Sequence, residues 1–286
     1  MKRTLFISVF ALVGLFFSAC DYVSNVVETS NNQGTPDDTA VVYRKVLIED
    51  FTGHKCLNCP NAARELHRID SAYHGKIVPI AIHAGTFANT NPQYPDDYRT
   101  PEGNTLNTTF GFNAYPNGLI SRKDYGTPTF IKGYDTWETS SYQLMSELAD
   151  FKIDIVNTFN SGTSKLTCEV NVKALNDLTG IYNLCVFLTE DSIIGNQLDG
   201  STQVPNYVFM HVLRGSLNST PTAWGEEIWN GAVTKNQTTT KTYSNFTVSG
   251  TFIPKNCHVV AYVYNNDNAS ASYYEVKQVE IKEITE

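Results

Sequence analysis

The stretch that most constrains this chain is residues 45–62, KVLIEDFTGHKCLNCPNA. A strand-like run from Lys45 to Phe51 enters a turn at Thr52-Gly53. Two cysteines follow with two residues between them, and Pro60 opens a helix. Strand, turn, CxxC and helix in that order is the setting in which such a pair performs redox chemistry. The amides of a helix's first turn point outward without partners, and the helix dipole adds partial positive charge there. A thiolate at that point is stabilised, so its pKa falls and it becomes a nucleophile at neutral pH. Cys56 is then the candidate attacking thiol and Cys59 the resolving one. Pro60 suits the first helical turn, where a missing N–H costs little. Two other readings stay open. One is a static structural disulfide. The other is a metal site, for which His54 and His83 would have to supply the ligands that no second CxxC provides.

Residues 42–51 alternate as a strand. Val46, Ile48 and Asp50 share one face, and Leu47, Glu49 and Phe51 share the other. A carboxylate on an otherwise apolar face, six residues before Cys56, is a candidate proton acceptor for the deeper thiol: burial would raise its pKa. The competing reading is a half-exposed acid at a strand end.

The N-terminus bears on compartment. Lys2-Arg3 precede an apolar run from Leu5 to Phe17, which ends in Ser18-Ala19-Cys20. This is the layout of a secretory signal peptide over 1–19, and its end resembles a bacterial lipobox, which implies cleavage before Cys20 and lipidation of that thiol. Removal of 1–19 takes away two positive charges and moves the formal net charge from −8 to −10. Residues 20–41 read as a flexible tether between lipid and protein. The compartment is then extracytoplasmic and permits disulfides. The absence of any Lys/Arg cluster argues against nucleic acid as a partner.

Ala62, Leu66, Ile69 and Tyr73 recur at helical spacing over 60–74, and Gly75 marks the stop. Residues 76–83 read as a buried parallel strand, with Pro79 arguing against a fully central place. Residues 84–104 form a long irregular insertion in which His83, Asp96, Asp97 and Glu102 are candidate cation ligands. A short helix and turn over 105–115 lead to Tyr115-Pro116 immediately before a strand. A hairpin around Gly126 and a helix over 135–150, with Trp137, Ser141, Leu144 and Leu148 inward, complete this half.

Here a resemblance emerges. FGFNAYPNGLI is similar to the thioredoxin-fold segment in which a glycine turn leads to a cis-proline and the next strand. The Asp50-to-Cys56 spacing matches the buried acid of thioredoxins. EDFTGHKCLNCPNAA, IAIHAG, the run to Leu119-Ile120-Ser121-Arg122, and Val212-Leu213-Arg214 after His211 together resemble the outer membrane protein 28-related lipoproteins of Gram-negative bacteria. The resemblance implies an outer-membrane lipoprotein with a thioredoxin-like domain (42–150) followed by a β-rich domain (151–286). The thioredoxin-like segment implies a cis Pro116 beside the CxxC, and Tyr115 and His54 are the candidate substrate-binding residues. The motif departs from thioredoxins in carrying Lys55 before the first cysteine and Leu57-Asn58 between the pair.

From 151 onward, short alternating runs at 151–159, 164–174, 181–190, 206–216, 241–253, 257–265 and 272–283 predict an antiparallel, Ig-like β-sandwich. A turn at 176–180 would set Cys168 opposite Cys185; three buried free thiols at Cys168, Cys185 and Cys257 are the other expectation. Trp224 and Trp229, in an irregular stretch over 217–240, either form a contact patch or pin the loop. Two functions follow. One is thiol–disulfide exchange with extracytoplasmic protein thiols or disulfides. The other is a non-catalytic surface adhesin or receptor that uses the fold as a scaffold for surface ligands. Neither calls for a cofactor or a metal.

Overall fold

Residues 41–126, 130–219 and 223–285 are described by a computed structural model. The expected signal peptide, Cys20 and nearly all of the tether lie outside these residues. The alternating run at 46–52 forms β1 (Val46–Thr52), and every residue of it is buried. Its two faces enter two different cores: Val46 and Ile48 pack with Ala62, Leu66, Ile69 and Trp137, while Leu47 and Phe51 pack with Val78, Ile80 and Ile82. A strand covered on both sides must be central, and β1 has neighbours on each edge.

Helix α1 (Cys59–Tyr73) turns its Leu66 and Ile69 stripe onto β1, and the chain reverses at Gly75, whose φ is 71°. Strand β2 (Ile77–His83) returns parallel to β1 in the register Ile48↔Pro79. Pro79 is tolerated because the strand on the other side of β2, β10 (Val212–Ser216), pairs with it only at Val212↔Ala81. Helix α2 (Pro101–Phe110) is capped by the Thr100 hydroxyl, which accepts from the Gly103 amide at 3.0 Å. It therefore begins four residues ahead of the expected start. Strands β3 (Asn117–Ile120) and β4 (Ile131–Lys132) run on the far edge of β1, both antiparallel to their neighbours. Helix α3 (Trp137–Met145) is shorter than expected; Leu148 lies beyond it at 63 % exposure and is not a core residue.

The rest is β-structure: β5 (Phe151–Asn160), β6 (Lys165–Ala174), β7 (Leu178–Glu190), β8 (Ile193–Asp199), β9 (Thr202–Phe209), β10, β11 (Glu226–Val233), β12 (Thr238–Thr247), β13 (Cys257–Asn265) and β14 (Val276–Glu283). One nine-stranded sheet has the order β14-β13-β7-β10-β2-β1-β3-β4, with β11 also on β7. It therefore takes strands from both sides of residue 150, and the chain from Val41 onward forms one compact unit. A second sheet, β12-β6-β5, stacks on it. Their shared core sets Ile153, Val170 and Val172 against Val186, Val259 and Ala261. Phe187, Val260 and Tyr262 point to the opposite face of the large sheet, beside Leu47 and Phe51.

Two expectations need correction. The turn after β6 crosses between sheets instead of closing a hairpin: β6 pairs with β5 and β12, and Cys185 lies on β7 in the other sheet. Cys168 and Cys185 are thus not opposite one another, and with Cys257 they are buried free thiols. The stretch 217–240 is not wholly irregular, since it holds β11; Trp229 stacks on Phe151 at 5.5 Å and Trp224 on Tyr274 at 5.1 Å, so both pin the chain. Burial pushes the three thiols up to about 12. A thiol reagent should therefore label three more cysteines per chain in denaturant than in the folded, unreduced protein. Labelling of any of the three in the folded state would contradict this packing.

Candidate functional site

The site begins where β1 ends. At Gly53 a Cβ would sit 2.5 Å from the Phe87 carbonyl carbon, so only glycine lets the chain pass the 86–88 turn. The Cys56 amide then donates to the Gly53 carbonyl at 3.0 Å, which folds the CxxC back onto the start of α1. Cys56 and Cys59 form a disulfide with a Cα–Cα distance of 5.4 Å, within the ordinary range for such a bridge. Cys59 is the first residue of α1 and Pro60 follows it, with no side-chain cap on the helix. In that turn the Cys59 amide donates to the Cys56 carbonyl at 3.4 Å, Pro60 has no N–H, and the Asn61 amide donates to the Asn58 carbonyl at 3.0 Å, so what this end offers a thiolate is the positive end of the helix dipole.

Both cysteines are only 2 % exposed. Their cover comes from about 140 residues away, the β8–β9 hairpin. The Leu198 amide donates to the His54 carbonyl at 2.8 Å, the Gly200 amide to the Leu57 carbonyl at 2.8 Å, and the Gln197 side-chain amide to the Cys56 carbonyl at 3.1 Å. Arg64 of α1 pairs with Asp199 at 2.9 Å. No local signal in the sequence points to this hairpin as part of the site: β8 and the start of β9 fall between the expected runs 181–190 and 206–216.

Behind the disulfide lies a cavity of about 390 Å³. Its walls are α1 (Cys59, Pro60, Ala63, Leu66), the sheet (Asp50, Ala81, His83) and the end of the hairpin (Tyr207, Val208, Phe209). Asp50 is buried, and burial pushes its carboxyl up to about 8. Its Oδ1 has no hydrogen-bond partner, and neither ring nitrogen of His83 has one. Burial, with His54 beside it, lowers His83 to about 3, so its imidazole is neutral. Asp50 thus reads as the buried acid and not as a half-exposed strand end.

The remaining expected site residues fall in other places. The Tyr115-Pro116 bond is cis, and Pro116 directly precedes β3, one step beyond the pair Phe51↔Asn117. The Tyr115 ring faces away from the cavity: its hydroxyl bonds Asn107 and its edge meets Phe87. His54 is buried, its ring stacked on Tyr94 at 5.3 Å and its Nε2 3.1 Å from the Asn89 carbonyl. Burial lowers its pKa, and its ring secures the 86–98 loop. His83, Asp96, Asp97 and Glu102 are not gathered as a metal-binding group among the described residues, and Asp97 is held by Arg99 at 2.7 Å.

Beneath the same strand, on the opposite face, Glu49 and Arg122 form a fully buried ion pair. Arg122 Nε donates to Glu49 Oε2 at 2.7 Å and Nη2 to Oε1 at 2.6 Å; Nη2 also meets the Tyr262 hydroxyl at 2.6 Å. The guanidinium lies 5.0 Å from the Tyr262 ring and 5.8 Å from those of Trp224 and Tyr264. Burial opposes its charge, yet the Glu49 carboxylate keeps it protonated well above the usual range.

Solved structures share the fold. HBP35 of Porphyromonas gingivalis aligns over 85 % of this chain and 76 % of its own, at 14 % identity and a TM-score of 0.66. Protein AGR_C_4864 from Agrobacterium tumefaciens aligns over 86 % of this chain and 97 % of its own, at 15 % identity and a TM-score of 0.51. Comparison with curated proteins finds no match. The family description of outer membrane protein Omp28 matches residues 103–285, which spans α2 through β14 and leaves the CxxC before it. That match covers more than half of the sequence, and the chain belongs to the Omp28 family of outer membrane proteins.

Proposed function

We propose that this protein is a lipid-anchored thiol–disulfide exchange protein of the outer membrane, tethered through Cys20, whose first half is a thioredoxin-like unit. The order β2-β1-β3-β4, with β1 and β2 parallel, supports that reading, as does the disulfide on the first turn of α1. Cys56 serves as the attacking thiol towards extracytoplasmic protein partners, Cys59 as the resolving thiol, and Asp50 as the proton acceptor. Pro116 and the Tyr115 backbone border the substrate strand.

One observation carries the reading. Asp50 is a buried, unpartnered carboxyl that walls the same cavity as Cys59. A structural disulfide gains nothing from such a group, and burying it costs free energy. A dithiol that must gain and lose protons near neutral pH does use an acid whose pKa is close to the working pH. The observation that favours the other reading, a surface binding module with a static bridge, is the hairpin that leaves both cysteines 2 % exposed.

Titrating Cys56–Cys59 against defined thiol–disulfide buffers separates the two. Exchange predicts a reduction potential above roughly −300 mV and covalent capture of partner proteins by a Cys59→Ser variant. A potential well below that value, with no capture, would leave the bridge structural.

A further inference from the structure

The hairpin shields the outer side of the CxxC loop, while Cys59, and not Cys56, walls the cavity behind it. We infer that an uncharged, low-molecular-weight thiol enters this cavity and reduces the disulfide by attacking Cys59, so that the site has a small-molecule electron donor. The inference rests on the exchange reading and names the substrate class on its reducing side.

The size and chemistry of the cavity select such a molecule. About 390 Å³ lies at the small end of ligand cavities and suits a small molecule. Pro60, Ala63, Leu66, Val208 and Phe209 line it with apolar surface. Of the basic side chains at its rim, Arg64 is already committed to Asp199 and His211 to Asp191. A charged thiol would give up its hydration for walls that are largely apolar, which disfavours its entry. A neutral thiol with a hydroxyl or amide meets a better match. Asp50 Oδ1 and both His83 nitrogens, on side chains 2 % exposed, stand without partners at the wall and can give and accept hydrogen bonds.

The chemistry balances. The Asp50 carboxylate takes the proton of the entering thiol as its sulfur bonds to Cys59 Sγ. The Cys56–Cys59 bond breaks, and its electron pair leaves on Cys56 Sγ, a thiolate at the positive end of the α1 dipole. A second molecule of the same thiol attacks the small-molecule sulfur of the mixed disulfide. That step releases the thiol's own disulfide and leaves the electron pair on Cys59 Sγ, which takes its proton back from Asp50. The second thiol's proton goes to Cys56. Two thiols are oxidised to one disulfide, and one protein disulfide is reduced to a dithiol.

The test compares three thiols of similar size and different charge: 2-mercaptoethanol (neutral), 3-mercaptopropionate (anionic) and cysteamine (cationic). Each rate of reduction of the oxidised full chain is divided by the same thiol's rate on the neutral disulfide of 2-mercaptoethanol, which removes differences in intrinsic thiol reactivity without adding a charge bias. The normalised rate for 2-mercaptoethanol should exceed those of both charged thiols by at least about tenfold. Ala63→Phe, which fills the cavity from a half-exposed helix position, should erase that preference and leave reduction by a protein dithiol unchanged. Equal normalised rates, or an unaltered preference in Ala63→Phe, overturn the inference while exchange with the protein dithiol keeps the proposed function standing. No reduction by any small thiol or by the protein dithiol overturns both.

Discussion

Replacing Glu49 with alanine is expected to cost about 3–5 kcal/mol of stability, the scale at which removal of one partner strands a buried charge. Arg122 is completely buried, and its carboxylate partner comes from β1 alone. The Tyr262 hydroxyl at 2.6 Å and the rings of Tyr262, Tyr264 and Trp224 at 5.0–5.8 Å would remain, but none carries the charge of the lost carboxylate or its two hydrogen bonds at 2.6 and 2.7 Å. The residue cannot neutralise itself either, since a guanidinium holds its proton. Denaturant unfolding at constant m-value should show the loss, with a melting temperature lower by on the order of 10 °C. The double variant Glu49→Leu with Arg122→Met should recover most of it, because it removes the charge along with its partner. If the single variant loses less than about 1 kcal/mol, water reaches the guanidinium and the pair is not the dry joint described above. The pair also explains how the halves of the chain are fastened: Glu49 lies in the segment before the CxxC, and Tyr262 on the strand at the centre of the later half.

What could be read from the sequence divides along the same physical line. Asp50, Cys56, Cys59 and Pro60 lie within eleven consecutive residues, and a strand running into a helix fixes their relation. Pro116 is announced by its own X-Pro turn. These are local patterns, and alternation and helical spacing report them. The Arg122 pair is different. An arginine in Ser-Arg-Lys reads as a solvated turn, and it is Glu49 with the rings from positions 110, 224, 262 and 264 that makes burial possible; pairing of that kind is not encoded in spacing. The hairpin over the disulfide escaped notice for the same reason. The expectation of three buried free thiols holds for Cys168, Cys185 and Cys257, whereas the hairpin setting Cys168 opposite Cys185 fails because a short turn between two strands has two outcomes, a hairpin or a step to the other sheet. The alternation of β6 and β7 is the same in both.

Asp50→Asn is expected to make the oxidised protein more stable at pH 7, by about 4 kcal/mol, and to have little effect near pH 4. The carboxyl moves from its ordinary 3.8 to about 8 on folding. Below the lower value it is protonated in both states and contributes equally to each. Between the two, the folded chain keeps a proton that the unfolded chain has released, so stability falls as pH rises, by about 1.4 kcal/mol per unit. Above about 8 the penalty is constant. His83 acts in the opposite direction: its folded value of about 3 means that stability is lost as pH falls below the ordinary histidine range. The difference between variant and parent, measured at several pH values with the disulfide intact, therefore isolates Asp50. A difference that does not change between pH 4.5 and 7.5 would mean that the carboxyl is hydrated in the folded state. The expected gain bears directly on function. A chain that would be more stable without this acid retains it at the back of a disulfide, where an asparagine would fit. Stability does not account for the carboxyl there; the proton transfer proposed at Cys59 would.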